Sequence, residues 1–134
     1  MNKQTEASKK TAPQTVNNTT ILNILLFGRY SSLIRNQYNI NTHCITILTG
    51  CYLYIKHINP TFTQTGITKF IRYYSDMRIK KYLTQLIVLN MITQAGTKIN
   101  HYTLTDTGLQ TIAEISNNAE QVLYLFCQKY NIEL

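Results

Sequence analysis

A mainly α fold carrying one small β-hairpin is the class this sequence predicts. Apolar residues recur at helical spacing in six segments, whereas strict alternation occurs in one short run, Ile99 to Leu104. Gly96 sits just ahead of that run, in Ala95-Gly96-Thr97-Lys98, where a hairpin needs its turn. The 134 residues suffice for one domain with its own core, and an apolar content of 44% argues against wholesale disorder.

The elements follow in order. Residues 1–18 hold three lysines, one glutamate and mostly small polar side chains, and read as a disordered basic tail that cannot offset its ordering entropy by burial. The remainder, 19–134, reads as a single domain with a core at about 42–116. Its first helix, 20–38, carries Ile21, Leu22, Leu25, Leu26, Leu33 and Ile34 on a stripe, with Thr19 or Thr20 as cap and Gly28 as a weak point. A second helix begins after Asn41 or Thr42 and runs to about His57. It is apolar nearly all round, so it should be the most buried, and Asn59-Pro60 ends it.

A short third helix spans Thr63 to Tyr73 or Tyr74, with Ile67, Phe70 and Ile71 facing inward. Ser75-Asp76 caps a fourth, 75–90, whose Ile79, Tyr82, Leu83, Leu86 and Ile87 form an i, i+3, i+4, i+7 series. Asn90 suits a left-handed residue at its end. The hairpin, 93–103, comes next. Thr105-Asp106 caps a fifth helix through Ile112 and Ile115, Asn117-Asn118 interrupts it, and a last helix, 119–132, presents Val122, Leu123, Leu125, Phe126 and Tyr130.

Two short helices joined by a tight turn, then a hairpin, then a helix, is the order of a winged helix-turn-helix, here flanked by N- and C-terminal helices. Charge is distributed accordingly. Thirteen Lys and Arg against six Asp and Glu give a net +7, which points to phosphate polyanions or an anionic surface. Between Lys69 and Lys81 the cations Lys69, Arg72, Arg78, Lys80 and Lys81 face only Asp76, a local +4. Between Thr105 and Leu134 four carboxylates face only Lys129, a local −3.

With the apolar series turned inward, the fourth helix points Met77, Arg78, Lys80, Lys81, Thr84 and Gln85 outward. Arg and Gln suit base edges; Lys and Thr suit phosphates. Ser75 with the N–H groups behind it suits a phosphate at the helix N-terminus, and Lys98 supplies a cation at the hairpin tip. Lys69 completes the expected DNA-binding set. Tyr82 belongs to the inward series and reads as core.

From Ile79 to Ile112 the chain resembles the winged-helix core of the MarR family of bacterial transcriptional regulators. The matching residues are Ile79, Tyr82, Leu83 and Leu86, then Asn90 where glycine is usual, then Met91-Ile92, and Leu104-Thr105-Asp106-Thr107-Gly108 for the family's Leu-Thr-x-x-Gly motif. The wing lacks the usual Asp and Arg, and the third helix shows Gly66-Ile67-Thr68 in place of Leu-Ala. The resemblance implies a sequence-specific duplex-DNA-binding regulator that is a homodimer through helices 20–38 and 119–132. The alternative is that those helices pack on each other within a monomer. It also implies an effector crevice. Tyr38, Tyr52, Tyr54, His57 and Phe62 are its candidates and equally core or boundary residues, so the small-molecule effector stays unidentified.

Enzyme activity is not expected: no Gly-rich phosphate loop, GxSxG, HExxH or Cys-His-Asp set is present. No cofactor or metal is expected either, since Cys44, Cys51 and Cys127 form no CxxC pair and His43, His57 and His101 have no ligand spacing to them. The thiols read as buried hydrophobes in a reducing compartment; redox sensing, the alternative, needs a lowered pKa and solvent access. No apolar run is long enough to span a membrane and no signal peptide is evident, so a cytoplasmic protein without a membrane partner is expected. Two other functions fit the same residues: an accessory or architectural DNA-binding factor of a mobile element, and a winged-helix protein-interaction module without DNA binding.

Overall fold

The computed structural model describes residues 16–134; the tail expected over 1–18 lies for the most part outside the described residues. Five helices and one hairpin follow in order: α1 (Asn18–Tyr38), α2 (Thr42–His57), α3 (Gln64–Ile71), α4 (Asp76–Val88), β1 (Ile92–Gln94), β2 (Tyr102–Leu104) and α5 (Asp106–Tyr130).

Capping side chains set the helix starts. Asn17, Asn41, Thr63, Ser75 and Thr105 are extended at the N-cap, and each accepts a hydrogen bond from the N–H three residues on. For α2 to α5 these are the caps expected from the sequence. For α1 the cap is Asn17 in place of Thr19 or Thr20. Gly28 leaves α1 unbroken, because the ~1 kcal/mol that a glycine costs in a helix interior is small against burial of Leu22, Leu26 and Ile34 on either side of it.

The core is one cluster. α2 contributes Cys44, Ile45, Ile47, Leu48 and Cys51 along its first three turns, and α4 contributes Ile79, Tyr82, Leu83 and Leu86. Phe62, Ile67, Met91, Ile92 and Leu104 close it below the hairpin. Gly50 lets α3 approach, since a Cβ there would lie 2.6 Å from Ile71 Cδ1. β1 and β2 pair antiparallel with Ile92 opposite Leu104. Phe62 adds a bridge to Tyr102, with both N–H···O bonds made at 2.8–2.9 Å. The wing is thus pinned to the segment that leads into α3.

Further expectations change, among them the inward place of Phe70, which is exposed. Asn117-Asn118 does not end a helix: α5 runs 25 residues from Asp106 to Tyr130, so the separate helix over 119–132 is its second half. Two asparagines cost only tenths of a kcal/mol each in a helix interior, ~0.7 at most. Ile112, Ile115, Ala119, Val122 and Phe126 meanwhile continue one half-buried stripe across them. β2 starts at Tyr102 and not at Ile99, because Asn100 takes φ 64° and folds Lys98 to His101 into a turn. α3 stops at Ile71, since Arg72 is left-handed (φ 69°). Ile87 is exposed, which trims the inward series of α4 to Ile79, Tyr82, Leu83 and Leu86.

Candidate nucleic-acid interface

α3 and α4 are held together by polar bonds across their turn. The Thr68 hydroxyl donates to the Asp76 carboxylate at 2.9 Å, and Gln64 Nε2 donates to the Asp76 carbonyl at 3.2 Å. Burial of Ile67 on one side and Ile79 on the other fixes the pair against α2. What remains bare on α4 includes three cations, with apolar Met77 in its first turn and Ile87 and Val88 at its C-terminal end. Met77, Arg78, Lys80, Lys81 and Thr84 are all exposed, as expected.

Arg78 is held in place. Its Cζ lies 4.8 Å from the centroid of the Tyr74 ring and 5.8 Å from that of Tyr82. Those tyrosines form part of an aromatic stack that also includes His43 from the start of α2. The His43 ring stacks on Tyr82 with centroids 5.3 Å apart and planes 28° apart, and its Nδ1 lies 2.9 Å from the Tyr74 hydroxyl. Lys81 Nζ also lies over the Tyr82 ring, 5.5 Å from its centroid. His43 and Tyr74 were absent from the expected site. The spacing of Tyr74, Arg78 and Tyr82 at i, i+4, i+8 is the signal that brackets the arginine; nothing local announces His43.

Gln85 departs from its expected position. It is half-buried, and its Oε1 accepts the Cys44 thiol proton at 3.2 Å, so its side chain is tethered to α2 and is not wholly presented outward. Burial pushes the Cys44 thiol up to about 11 against a smaller opposing pull from Lys81, and burial raises Cys51 further. All three cysteines are buried and unpaired, and the raised thiols of Cys44 and Cys51 lack the thiolate character that redox sensing requires.

The other expected residues are placed as follows. Ser75 is exposed, but its hydroxyl already caps Arg78 N–H at 3.2 Å, and Asp76 puts a carboxylate beside the helix N-terminus. Thr84 donates to the Lys80 carbonyl at 2.8 Å. Lys69 is exposed in the last turn of α3. Lys98 is exposed in the wing turn, beyond the strands, with Ile99 beside it. Among the described residues no group of His, Cys, Asp and Glu could hold a metal. No described helix is long and apolar enough to cross a membrane.

Three solved structures share this architecture. MepR of Staphylococcus aureus, a transcription regulator of the multidrug efflux pump MepA, superposes with a TM-score of 0.65 over 85% of this chain and 84% of its own, at 14% identity. MarR of Staphylococcus aureus in complex with salicylate and kanamycin gives 0.64 over 87% and 75%, at 22% identity. RV1404 of Mycobacterium tuberculosis gives 0.57 over 87% and 84%, at 12% identity. The fold is a MarR-type winged helix. No protein-family model matches the chain, and no curated protein matches it by sequence.

Within that winged helix the Leu104-Thr105-Asp106-Thr107-Gly108 motif has a mechanical role. Leu104 is buried, and the Thr105 hydroxyl donates to the Asn90 carbonyl at 2.6 Å while accepting from Gly108 N–H at 3.0 Å. Gly108 packs so closely on the Met91 carbonyl that a Cβ has no room. The motif therefore locks the end of α4, the base of the wing and the start of α5 into one joint. The aromatic residues expected at an effector crevice do not converge. Phe62 is core, Tyr54 packs on Phe70, and Tyr52 lines a hollow of about 320 Å³ with Leu109, Ile112 and Ala113 of α5.

Proposed function

We propose that this chain is a dimeric, sequence-specific duplex-DNA-binding regulator of the MarR type and not an enzyme. In this reading α4 enters the major groove and the wing lies along the backbone. The observation that carries it is the split of α4: Ile79, Tyr82, Leu83 and Leu86 are buried, while Arg78, Lys80 and Lys81 stay bare and Arg78 is pre-positioned on an aromatic platform. An arginine held in a defined direction on a groove-width helix is suited to bidentate contact with guanine. Transcription regulators among the solved structures of this fold support the same reading.

Support for a dimer comes from the terminal helices. α1 and α5 pack on each other, with Asn18 Nδ2 donating to the Glu133 carbonyl at 3.1 Å, yet Ile21, Ile24, Leu25, Tyr124 and Leu125 remain exposed. Apolar surface left over after intramolecular packing is suited to a two-fold contact, which would space two copies of α4 for half-sites about one helical turn apart. The hollow beside Tyr52 is the place a small aromatic effector would fit, and calorimetric titration with salicylate tests it.

The decisive experiment is selection from a random duplex library, followed by binding of the selected site between ~50 and 200 mM salt. The expected result is a motif with two-fold symmetry and an affinity that falls steeply with salt. Lys80→Ala, Lys81→Ala and Lys98→Ala are each expected to weaken all duplexes alike and flatten the salt slope. A non-symmetric or absent motif with salt-dependent binding points to an accessory DNA-binding factor. No duplex binding at any salt rejects the reading in favour of a protein-interaction module.

A further inference from the structure

Among the described residues six have positive φ: Asn39, Asn90, Asn100, Asn131, Gly96 and Arg72. Wherever else the described residues turn left-handed they are asparagine or glycine, the two residues that adopt that conformation most readily. Arg72 is the exception, at φ 69° in the turn between α3 and α4. A Cβ there carries a steric penalty that Gly or Asn would avoid or lessen, so something about the side chain must offset it.

Three helix ends make the comparison direct. α1, α3 and α5 each finish with a left-handed cap whose N–H bonds to the carbonyl four residues back, on Arg35, Thr68 and Cys127. Each also carries a cation in its last turn, respectively Arg35, Lys69 and Lys129, which complements the helix dipole. α1 and α5 then place Asn39 and Asn131 at the cap. α3 needs no second cation for its dipole, yet has Arg72. Burial does not explain the choice, because Arg72 is exposed. Its one local bond, Nε donating to the Lys69 carbonyl at 3.3 Å, uses a single N–H of a guanidinium that has several.

We infer that Arg72 is a phosphate-binding residue of the duplex-contacting surface, retained in an unfavourable backbone conformation for its guanidinium. The inference rests on the reading of α4 as the groove helix. It extends the contact from α4 to the turn that precedes it, where Arg72 is the cation between Lys69 of α3 and Arg78 of α4 along the chain. A phosphate contact there fixes the register of α4 in the groove without reading a base. The local bond to Lys69 keeps the guanidinium near the helix end, which lowers the entropy lost when a phosphate is bound.

The test separates backbone from charge. The full chain and three variants, Arg72→Gly, Arg72→Ala and Arg72→Lys, are melted and titrated with a fluorescein-labelled 30-base-pair duplex over a salt series. Arg72→Gly is expected to raise Tm by about 2–4 °C. It is also expected to bind the duplex about threefold to tenfold more weakly at 0.1 M salt, with a log–log salt slope smaller by about 0.9. Arg72→Ala should show the same loss of affinity without the gain in Tm, and Arg72→Lys should keep the parent's slope. The inference is overturned if Arg72→Gly binds with the parent's affinity and slope, if it melts below the parent, or if Arg72→Lys loses the slope as the alanine variant does. A parent chain that binds no duplex overturns the reading of α4 itself, a result distinct from parental binding that the variants leave untouched.

Discussion

α4 and the paired terminal helices are built by the same rule and end with opposite surfaces. Each buries one apolar stripe, but α4 leaves Arg78, Lys80 and Lys81 bare, whereas α1 and α5 leave Ile24, Leu25 and Leu125 bare, at 69%, 63% and 54% exposure. A cationic face attracts a polyanion at a distance and loses that attraction in salt. An apolar face gains only on contact and is largely indifferent to salt. In the proposed reading the contrast divides one chain into a surface for nucleic acid and a surface for another copy, with the Thr105–Gly108 joint between them.

The sharpest way to break that division is to put charge on the apolar side. Ile24→Glu combined with Leu125→Glu is expected to shift the species seen by light scattering from a dimer to the 15.5 kDa monomer. Because both half-sites are then bound independently, affinity for the selected symmetric site should fall by about 10²-fold or more. Tm should fall and lose its dependence on protein concentration, since association of folded chains stabilises them by mass action. A 15.5 kDa species for the parent at micromolar concentration sinks the dimer outright.

Next in size is the joint itself. Gly108→Ala forces a Cβ onto the Met91 carbonyl, backbone that has little room to move, and is expected to cost about 1–3 kcal/mol in chemical denaturation. If the substitution is neutral, the joint is looser than its geometry indicates.

On the cationic side, Arg78→Ala is expected to cost about 1–3 kcal/mol on the selected site and much less on random duplex, as a base-reading arginine should. Gln85→Ala should cost less than Arg78→Ala, because its side chain is engaged by Cys44. Equal losses would mean that Gln85 leaves Cys44 on binding.

The smallest expected effect is a pH dependence from beneath α4. The Cys44 thiol is held at about 11, above its ordinary value of 9.0. The folded state therefore binds that proton more tightly than the unfolded chain. Its contribution is complete below pH ~9 and declines as pH rises towards 11, by about 1–3 kcal/mol in all. Cys44→Ala should flatten that part of the stability profile relative to the parent, and native-state alkylation of the thiol at neutral pH should be slow.

Much of the fold was legible because the signals are local. Asn41, Thr63, Ser75 and Thr105 announced their helices, Ile79 to Leu86 announced an inward stripe, and Leu104 to Gly108 announced a motif whose purpose, the contact with Met91, needed coordinates. The site was legible in part. Arg78, Lys80 and Lys81 followed from subtracting the stripe, but Gln85 sits at the edge of it, where a few degrees of rotation decide between solvent and Cys44.

Periodicity, capping chemistry and charge segregation are properties of neighbours along the chain, and they alone determined a mainly α winged helix with a cationic fourth helix. Whether Asn117-Asn118 would stop a helix depended on how well the stripe on both sides packed against α1 and α2, a cost of tenths set against burial of several residues. The meeting of His43 with Tyr74, 31 residues apart, and the odd arginine among left-handed asparagines are likewise matters of tertiary structure. A backbone angle and a contact between distant segments are consequences of how the whole chain closes on its core, and no local window of residues contains them.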